Sequence, residues 1–189
     1  MRRAIFGGTF DPIHNAHLAA ARAAADRFHL DRVLFIPAAS PPHKSGATHA
    51  PYADRVRMAE LACAVDPRFE VSRLEENTER SYSIGTIEKL RARMAPDDEL
   101  FFIIGADAFA EIRTWMRWRD VARAVRFLVV SRPGCDYQAP PEVRFDPLDD
   151  LSMDVSSSSI RSALAAGRRP PELPAAVLDY IREHHLYGA

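Results

Sequence analysis

Ala4-Ile5-Phe6-Gly7-Gly8-Thr9-Phe10-Asp11-Pro12-Ile13-His14-Asn15-Ala16-His17 decides the reading of the fold. A short apolar run ends in a glycine pair, and from Ala16 to Phe28 small and apolar residues recur at helical spacing. That is a buried strand turning into a helix, the opening of a βα unit. Two glycines directly after a strand let backbone N–H groups approach phosphate oxygens with no Cβ in the way. His14 and His17 share a face if the helix has begun by His14. Imidazoles there can donate hydrogen bonds to a phosphate, which the helix N-terminus already favours. Taken alone, the same residues also read as a tight turn bearing two surface histidines, or as a zinc pair lacking further ligands. The loop is neither GxxxxGK[ST] nor GxGxxG, so the standard P-loop and dinucleotide fingerprints are absent.

Further along, Val33–Ile36, Phe69–Val71, Leu100–Ile104 and Arg126–Val130 read as buried strands. Helical periodicity fills Ala53–Val65, Ile84–Met94 and Phe109–Ala122 between them. Alternation at this spacing predicts an α/β fold, a Rossmann-like doubly wound parallel sheet of about five or six strands. Right-handed crossovers place the ligand crevice at the carboxyl ends of the strands. After Arg132-Pro133-Gly134 comes a Pro- and Asp-rich stretch, then helices at about Ser157–Ala166 and Ala175–His184. The expected organisation is a single domain over 1–189, with a core at 1–150 and a small helical C-terminal part at 151–189. Suggestive residues follow five strand ends: Gly7–Thr9, Pro37–Lys44, Ser81–Thr86, Gly105–Asp107 and Ser131–Gly134.

Composition narrows the partners. The 189 residues carry a net charge of −1, so no global positive field exists to hold a nucleic-acid polymer, and an anionic partner needs a local site. Two cysteines without a CxxC favour a reducing compartment. The sequence has neither a secretory h-region nor an 18-residue apolar run, so cytoplasmic is the expectation, with no membrane partner. Of the 25 basic residues only Lys44 and Lys89 are lysines.

The first loop closely resembles the GGTFDPIHxGH signature of the nucleotidyltransferase superfamily. Val155-Ser156-Ser157-Ser158-Ser159-Ile160-Arg161 resembles its ISSTxxR motif, although four serines by themselves read as a linker. Three further segments narrow the resemblance to bacterial nicotinate-nucleotide adenylyltransferase. They are Pro41-Pro42-His43-Lys44, Ser81-Tyr82-Ser83-Ile84-Gly85-Thr86, and Ile104-Gly105-Ala106-Asp107 with Trp115 eight positions after the Asp. Ser131-Arg132-Pro133-Gly134 and the terminal Tyr180, Ile181, Leu186 and Tyr187 also fit, so the match spans nearly the whole chain. Ala16 stands where the family has glycine, and Ser158 where it has threonine.

The resemblance implies AMP transfer from ATP to nicotinate mononucleotide, with Mg²⁺ carried on ATP and no protein metal cage. His14, His17, Lys44 and Arg161 are the implied catalytic residues. ATP is expected at Gly7, Gly8, Thr9, Phe10, His14, His17, Gly105, Asp107, Ser156, Ser157, Ser158 and Arg161. Lys44, Tyr82, Ser83, Thr86, Trp115 and Arg132 are expected to hold nicotinate mononucleotide. Thr86 and Asp107 also read as helix caps, Trp115 as a core residue, and Arg132 as a turn residue. Trp118 is expected in the core. A dual nicotinate/nicotinamide enzyme, a pantetheine-phosphate adenylyltransferase and a nucleotide-binding regulator on the same fold are the alternatives. The expected assembly is a monomer or weak homo-oligomer.

Overall fold

The computed structural model describes residues 1–40, 48–131, 139–148 and 155–189. Six strands, β1 (Arg2–Gly8), β2 (Arg32–Pro37), β3 (Phe69–Val71), β4 (Glu99–Gly105), β5 (Arg126–Val130) and β6 (Phe145–Leu148), form one sheet. Its order is β3-β2-β1-β4-β5-β6 and every pairing is parallel. The Rossmann-like expectation therefore holds. Strand order reverses between β1 and β4, which opens a crevice at their carboxyl ends.

The period of two along each strand divides the core into two layers. Ala4, Phe6, Val33, Phe35, Phe101, Ile103, Leu128 and Val130 face one layer. Ile5, Leu34, Ile36, Phe102, Ile104, Phe127 and Val129 face the other. The first layer packs beneath α1 (Asn15–Arg27), α2 (Tyr52–Cys63), α6 (Ser157–Ala165) and α7 (Ala175–Glu183). The second packs beneath α3 (Ser83–Arg91), α4 (Ala106–Ala110) and α5 (Trp118–Ala124). Along α1 the buried face is mostly alanine (Ala16, Ala20, Ala21, Ala24, Ala25), which combines high helix propensity with close approach to the sheet.

Two elements depart from the sequence expectation. The stretch Phe109–Ala122 is not one helix: α4 ends at Ala110, a 3₁₀ turn covers Ile112–Thr114, and α5 starts at Trp118. Trp115 is extended and Arg117 lies at φ +52°, so the helical path breaks between them. The break lets Trp115 meet the Phe102 ring edge-on at 5.8 Å. The sixth strand comes from the Pro- and Asp-rich stretch. Pro147 is tolerated there because β6 is an edge strand, and its carbonyl accepts from Arg27 at 2.9 Å. Among the described residues no helix is long and apolar enough to cross a membrane.

Candidate active site

The carboxyl ends of β1 and β4 open into a cavity of about 420 Å³. Phe6, Gly7, His14 and His17 form one wall, Gly105, Ala106, Asp107 and Val130 the floor, and Val155, Ser156, Ser157 and Ser158 with Arg161 the far wall. Of the residues expected at ATP, Gly7, His14, His17, Gly105, Asp107, Ser156, Ser157, Ser158 and Arg161 thus meet in one place. Gly8, Thr9 and Phe10 do not line it. The Phe10 ring is buried against Phe6, Phe35 and His17 and belongs to the core. Lys44 and Arg132 fall in 41–47 and 132–138, outside the described residues.

The two histidines meet by a different route from helical spacing. His14 is the extended N-cap of α1, not a helical residue. Its backbone N–H donates to Nδ1 of His17 at 3.2 Å, and the rings stack with centroids 3.7 Å apart at 25°. An accepting Nδ1 carries no proton, so the neutral ring holds its proton on Nε2. Phe6 and Phe10 stand edge-on to His17 at 5.9 and 5.1 Å. Burial, and secondarily the neighbouring His14, hold the His17 pKa well below the ordinary 6.5. At neutral pH, His17 is a hydrogen-bond donor rather than a cation.

Glycine serves different purposes along the crevice. A Cβ on Gly8 would lie 2.9 Å from the buried Phe10 ring, so Gly8 is required by packing. A Cβ on Gly105 would meet nothing within 4 Å, at the cavity floor. Its absence leaves the cavity floor open. Ala16, the departure from the HxGH pattern, is buried and its methyl is accommodated.

The far wall begins with Ser156, whose hydroxyl caps α6 by accepting from Ser159 N–H at 3.1 Å. The serine run is thus the start of a helix and part of the cavity wall rather than a linker. Ser157 Oγ donates to the Pro12 carbonyl at 2.9 Å, and Arg161 Nη1 to the Asp11 carbonyl at 2.7 Å. These bonds join two motifs 150 residues apart in sequence.

Tyr82, Ser83, Thr86 and Trp115 lie outside this cavity's walls. Ser81 N–H donates to the Ser40 carbonyl and Ser40 N–H to Ser81 Oγ, tying the start of α3 to the chain leaving β2. Thr86 is buried and its hydroxyl donates to Oε1 of the buried Glu75 at 2.7 Å. It does not cap α3, where Tyr82 is the N-cap. Asp107 is likewise not a cap: Gly105 precedes α4 and Asp107 sits in its first turn. Trp115 and Trp118 are both partly buried against the second core layer, so Trp118 is not fully enclosed.

Arg55 escaped the sequence reading. It is fully buried, and its guanidinium donates to the carbonyls of Thr9 (2.7 Å), Ala38 (2.8 Å) and Ala50 (3.3 Å). The signal was present: Arg55, Met58, Ala59 and Ala62 share one helical face, three of them plainly core residues. Among the described residues no group of three or more His, Cys, Asp or Glu side chains converges to hold a metal ion.

The cytidylyltransferase-like family model matches residues 5–163, from the first strand through the serine–arginine wall. A probable nicotinate-nucleotide adenylyltransferase of Solibacter usitatus is 72% identical over 188 residues, covering 100% of both chains. The chain belongs to this family. A second probable nicotinate-nucleotide adenylyltransferase, from Thermus thermophilus, is 44% identical over 99% of this chain and 100% of its own. Nicotinic acid mononucleotide adenylyltransferase of Plasmodium falciparum, solved in complex with NaAD, has the same fold. It aligns with a TM-score of 0.82 at 18% identity, covering 99% of this chain and 97% of that one. Within the family, the exchange of glycine for Ala16 and of threonine for Ser158 leaves both histidines and the hydroxyl in the cavity wall.

Proposed function

We propose that this chain transfers AMP from ATP to nicotinate mononucleotide, giving nicotinate adenine dinucleotide and pyrophosphate in NAD biosynthesis. One observation carries the reading beyond family membership. A cavity at the sheet's switch point joins His14 and His17 on one wall to Ser156, Ser157, Ser158 and Arg161 on the other. This is a set of donors for a polyanion, with the His17 imidazole neutral.

The chemistry needs no general base, because a 5′-phosphate is already an anionic nucleophile. Its oxygen attacks the α-phosphorus in line. The bond from that phosphorus to the β-bridging oxygen breaks, and its electron pair leaves on pyrophosphate. Positioning and stabilisation of the leaving charge therefore carry catalysis. His17 donates from Nε2 and His14 assists from the stacked ring. The backbone N–H groups of Ser157 and Ser158 at the start of α6 brace the β- and γ-phosphates together with Arg161, since the Ser157 hydroxyl proton is already given to Pro12. Lys44 neutralises charge where the two substrates meet, and Arg132 pairs with the mononucleotide phosphate. Asp107 is the one carboxylate in the described cavity walls, which suits a Mg²⁺ held by phosphates and water rather than by a protein cage. That ion supplies charge neutralisation on the triphosphate.

The pyridine ring stacks on Trp115, with the segment 82–86 near its carboxylate. The Thr86 proton is committed to Glu75, so the hydroxyl cannot also donate it to a carboxylate. Selectivity for the acid then rests on the N–H groups of Ser83 and Ile84 that open α3, since those of Gly85 and Thr86 already donate to the Tyr82 carbonyl. Those donors favour a carboxylate over an amide. The chain acts as one domain in the cytoplasm, as a monomer or weak homo-oligomer.

Pyrophosphate release with ATP and each of nicotinate mononucleotide, nicotinamide mononucleotide and phosphopantetheine tests this reading. Release should be strong with the first and at least about tenfold weaker with the second. Comparable rates would establish a dual enzyme, release only with the third would replace the substrate, and none at all would leave a binding protein.

A further inference from the structure

Asp11 is buried, and its side chain is a junction between three segments of the chain. Oδ2 accepts from His49 N–H at 2.8 Å. Oδ1 accepts from Ala50 N–H at 3.1 Å and from the Tyr187 hydroxyl at 2.7 Å. Among the described residues Tyr187 is the only side chain that donates to this carboxylate. It reaches Asp11 from a 3₁₀ turn at Leu186–Gly188, 176 residues away in sequence, with its own backbone at φ +59°. The turn packs on the first core layer and against Ala165 of α6. Burial and the Asp11 carboxylate both raise the Tyr187 pKa, so the phenol stays a donor throughout the working range.

The backbone of the same short segment docks the far wall. The Asp11 carbonyl takes Arg161, and the adjoining Pro12 carbonyl takes Ser157. The position of this segment therefore sets the separation between the histidine wall and the serine–arginine wall. Arg55 fixes the segment from below, through the carbonyls of Thr9, Ala38 and Ala50. Tyr187 fixes it from the side of α6.

We propose that Tyr187 is a positioning residue for triphosphate binding. By holding Asp11 it keeps the Asp11 and Pro12 carbonyls where Arg161 and Ser157 dock, and so fixes the two phosphate-facing walls at their working spacing. The inference rests on the reading that Arg161 and the histidines take the triphosphate of ATP. Tyr187 touches no substrate itself. Its hydroxyl contributes to the affinity for one substrate, ATP, and not for the mononucleotide.

Tyr187→Phe keeps the ring and deletes only the hydroxyl. It should raise KM for ATP about three- to tenfold, the size of one lost hydrogen bond, with KM for nicotinate mononucleotide within about twofold. Tm should fall by no more than about 4 °C. Added to Arg161→Ala, Tyr187→Phe should raise KM for ATP by less than it does alone, because the two share the Asp11–Arg161 contact. A wild-type KM for ATP in Tyr187→Phe, beside a raised one in Arg161→Ala, overturns the inference alone. So does a rise in both KM values in step with lost stability, or full additivity of the two substitutions. An unchanged KM for ATP in Arg161→Ala removes the triphosphate reading, and this inference with it.

Discussion

The backbone N–H of His14 donates to Nδ1 of His17 at 3.2 Å, so one histidine's main chain sets the tautomer of the other's ring. In the proposed reaction the proton left on Nε2 is the one offered to phosphate oxygens. This is a preorganised donor in a partly enclosed wall, where a hydrogen bond to developing charge is worth more than in water.

His17→Ala should lower kcat about 10²- to 10³-fold, as expected for one lost donor to developing charge. Circular dichroism should show the fold intact. His17→Gln, whose amide nitrogen reaches about as far as Nε2, should retain more activity than His17→Asn, whose shorter amide mimics Nδ1. Equal losses in Gln and Asn would show that the Nε2 donor is not what matters.

The low pKa of His17 also sets an acid limit. The unfolded chain takes up this proton near pH 6.5 while the folded chain resists it. Stability from the neutral ring is therefore complete above that value and declines as pH falls through it towards the folded pKa. Urea unfolding at about pH 7.5 and about pH 5.5 should show a larger loss for wild type than for His17→Gln. The same slope in both would assign the acid sensitivity to other groups.

The two glycines in the crevice should fail differently. Gly8→Ala forces the Phe10 ring from its place between Phe6, Phe35 and His17, at a cost of about 1–3 kcal/mol in denaturant unfolding. Gly105→Val adds a side chain whose Cβ has no protein atom within 4 Å, on a backbone at φ −72° that is open to any residue. It should leave stability within about 0.5 kcal/mol of wild type yet raise KM for ATP at least about tenfold, about 1.4 kcal/mol of binding. Unchanged ATP kinetics would place the nucleotide elsewhere.

Arg55→Met should be among the most damaging substitutions in α2, costing about 3–5 kcal/mol, because three carbonyls and the Asp11 charge lose their partner together. Arg55→Lys should recover only part, since one ammonium cannot reproduce the planar fork. Denaturation midpoints for both variants check this. A mild effect from Met would mean that the pocket collapses around the apolar chain.

The sheet was legible because β1, β2, β4 and β5 each contain an unbroken apolar run that matches a strand buried on both faces. β6 was not, since Phe145-Asp146-Pro147-Leu148 is half-exposed and interrupted by proline, both permitted at an edge. The cavity walls could be read from the glycines, histidines and serines because their chemistry is local. The partners of Arg55, Glu75 and Tyr187 could not be read in the same way. Arg55 reaches back to Thr9, Tyr187 to Asp11, and Glu75 meets Thr86 across a turn, while an arginine in isolation looks like a solvated one. The split of Phe109–Ala122 was hidden because periodicity does not register a left-handed residue such as Arg117.

Pro147 has a consequence beyond its tolerance in β6. In a parallel strand the N–H and C=O of one residue point to the same side, and the Pro147 carbonyl points outward, to Arg27. On that outward side proline supplies no donor, and the acceptor beside it is occupied by a guanidinium. The sheet is thereby closed to growth at this margin. A further strand, whether from a second copy or from a partly unfolded neighbour, would find the ladder already broken in its middle.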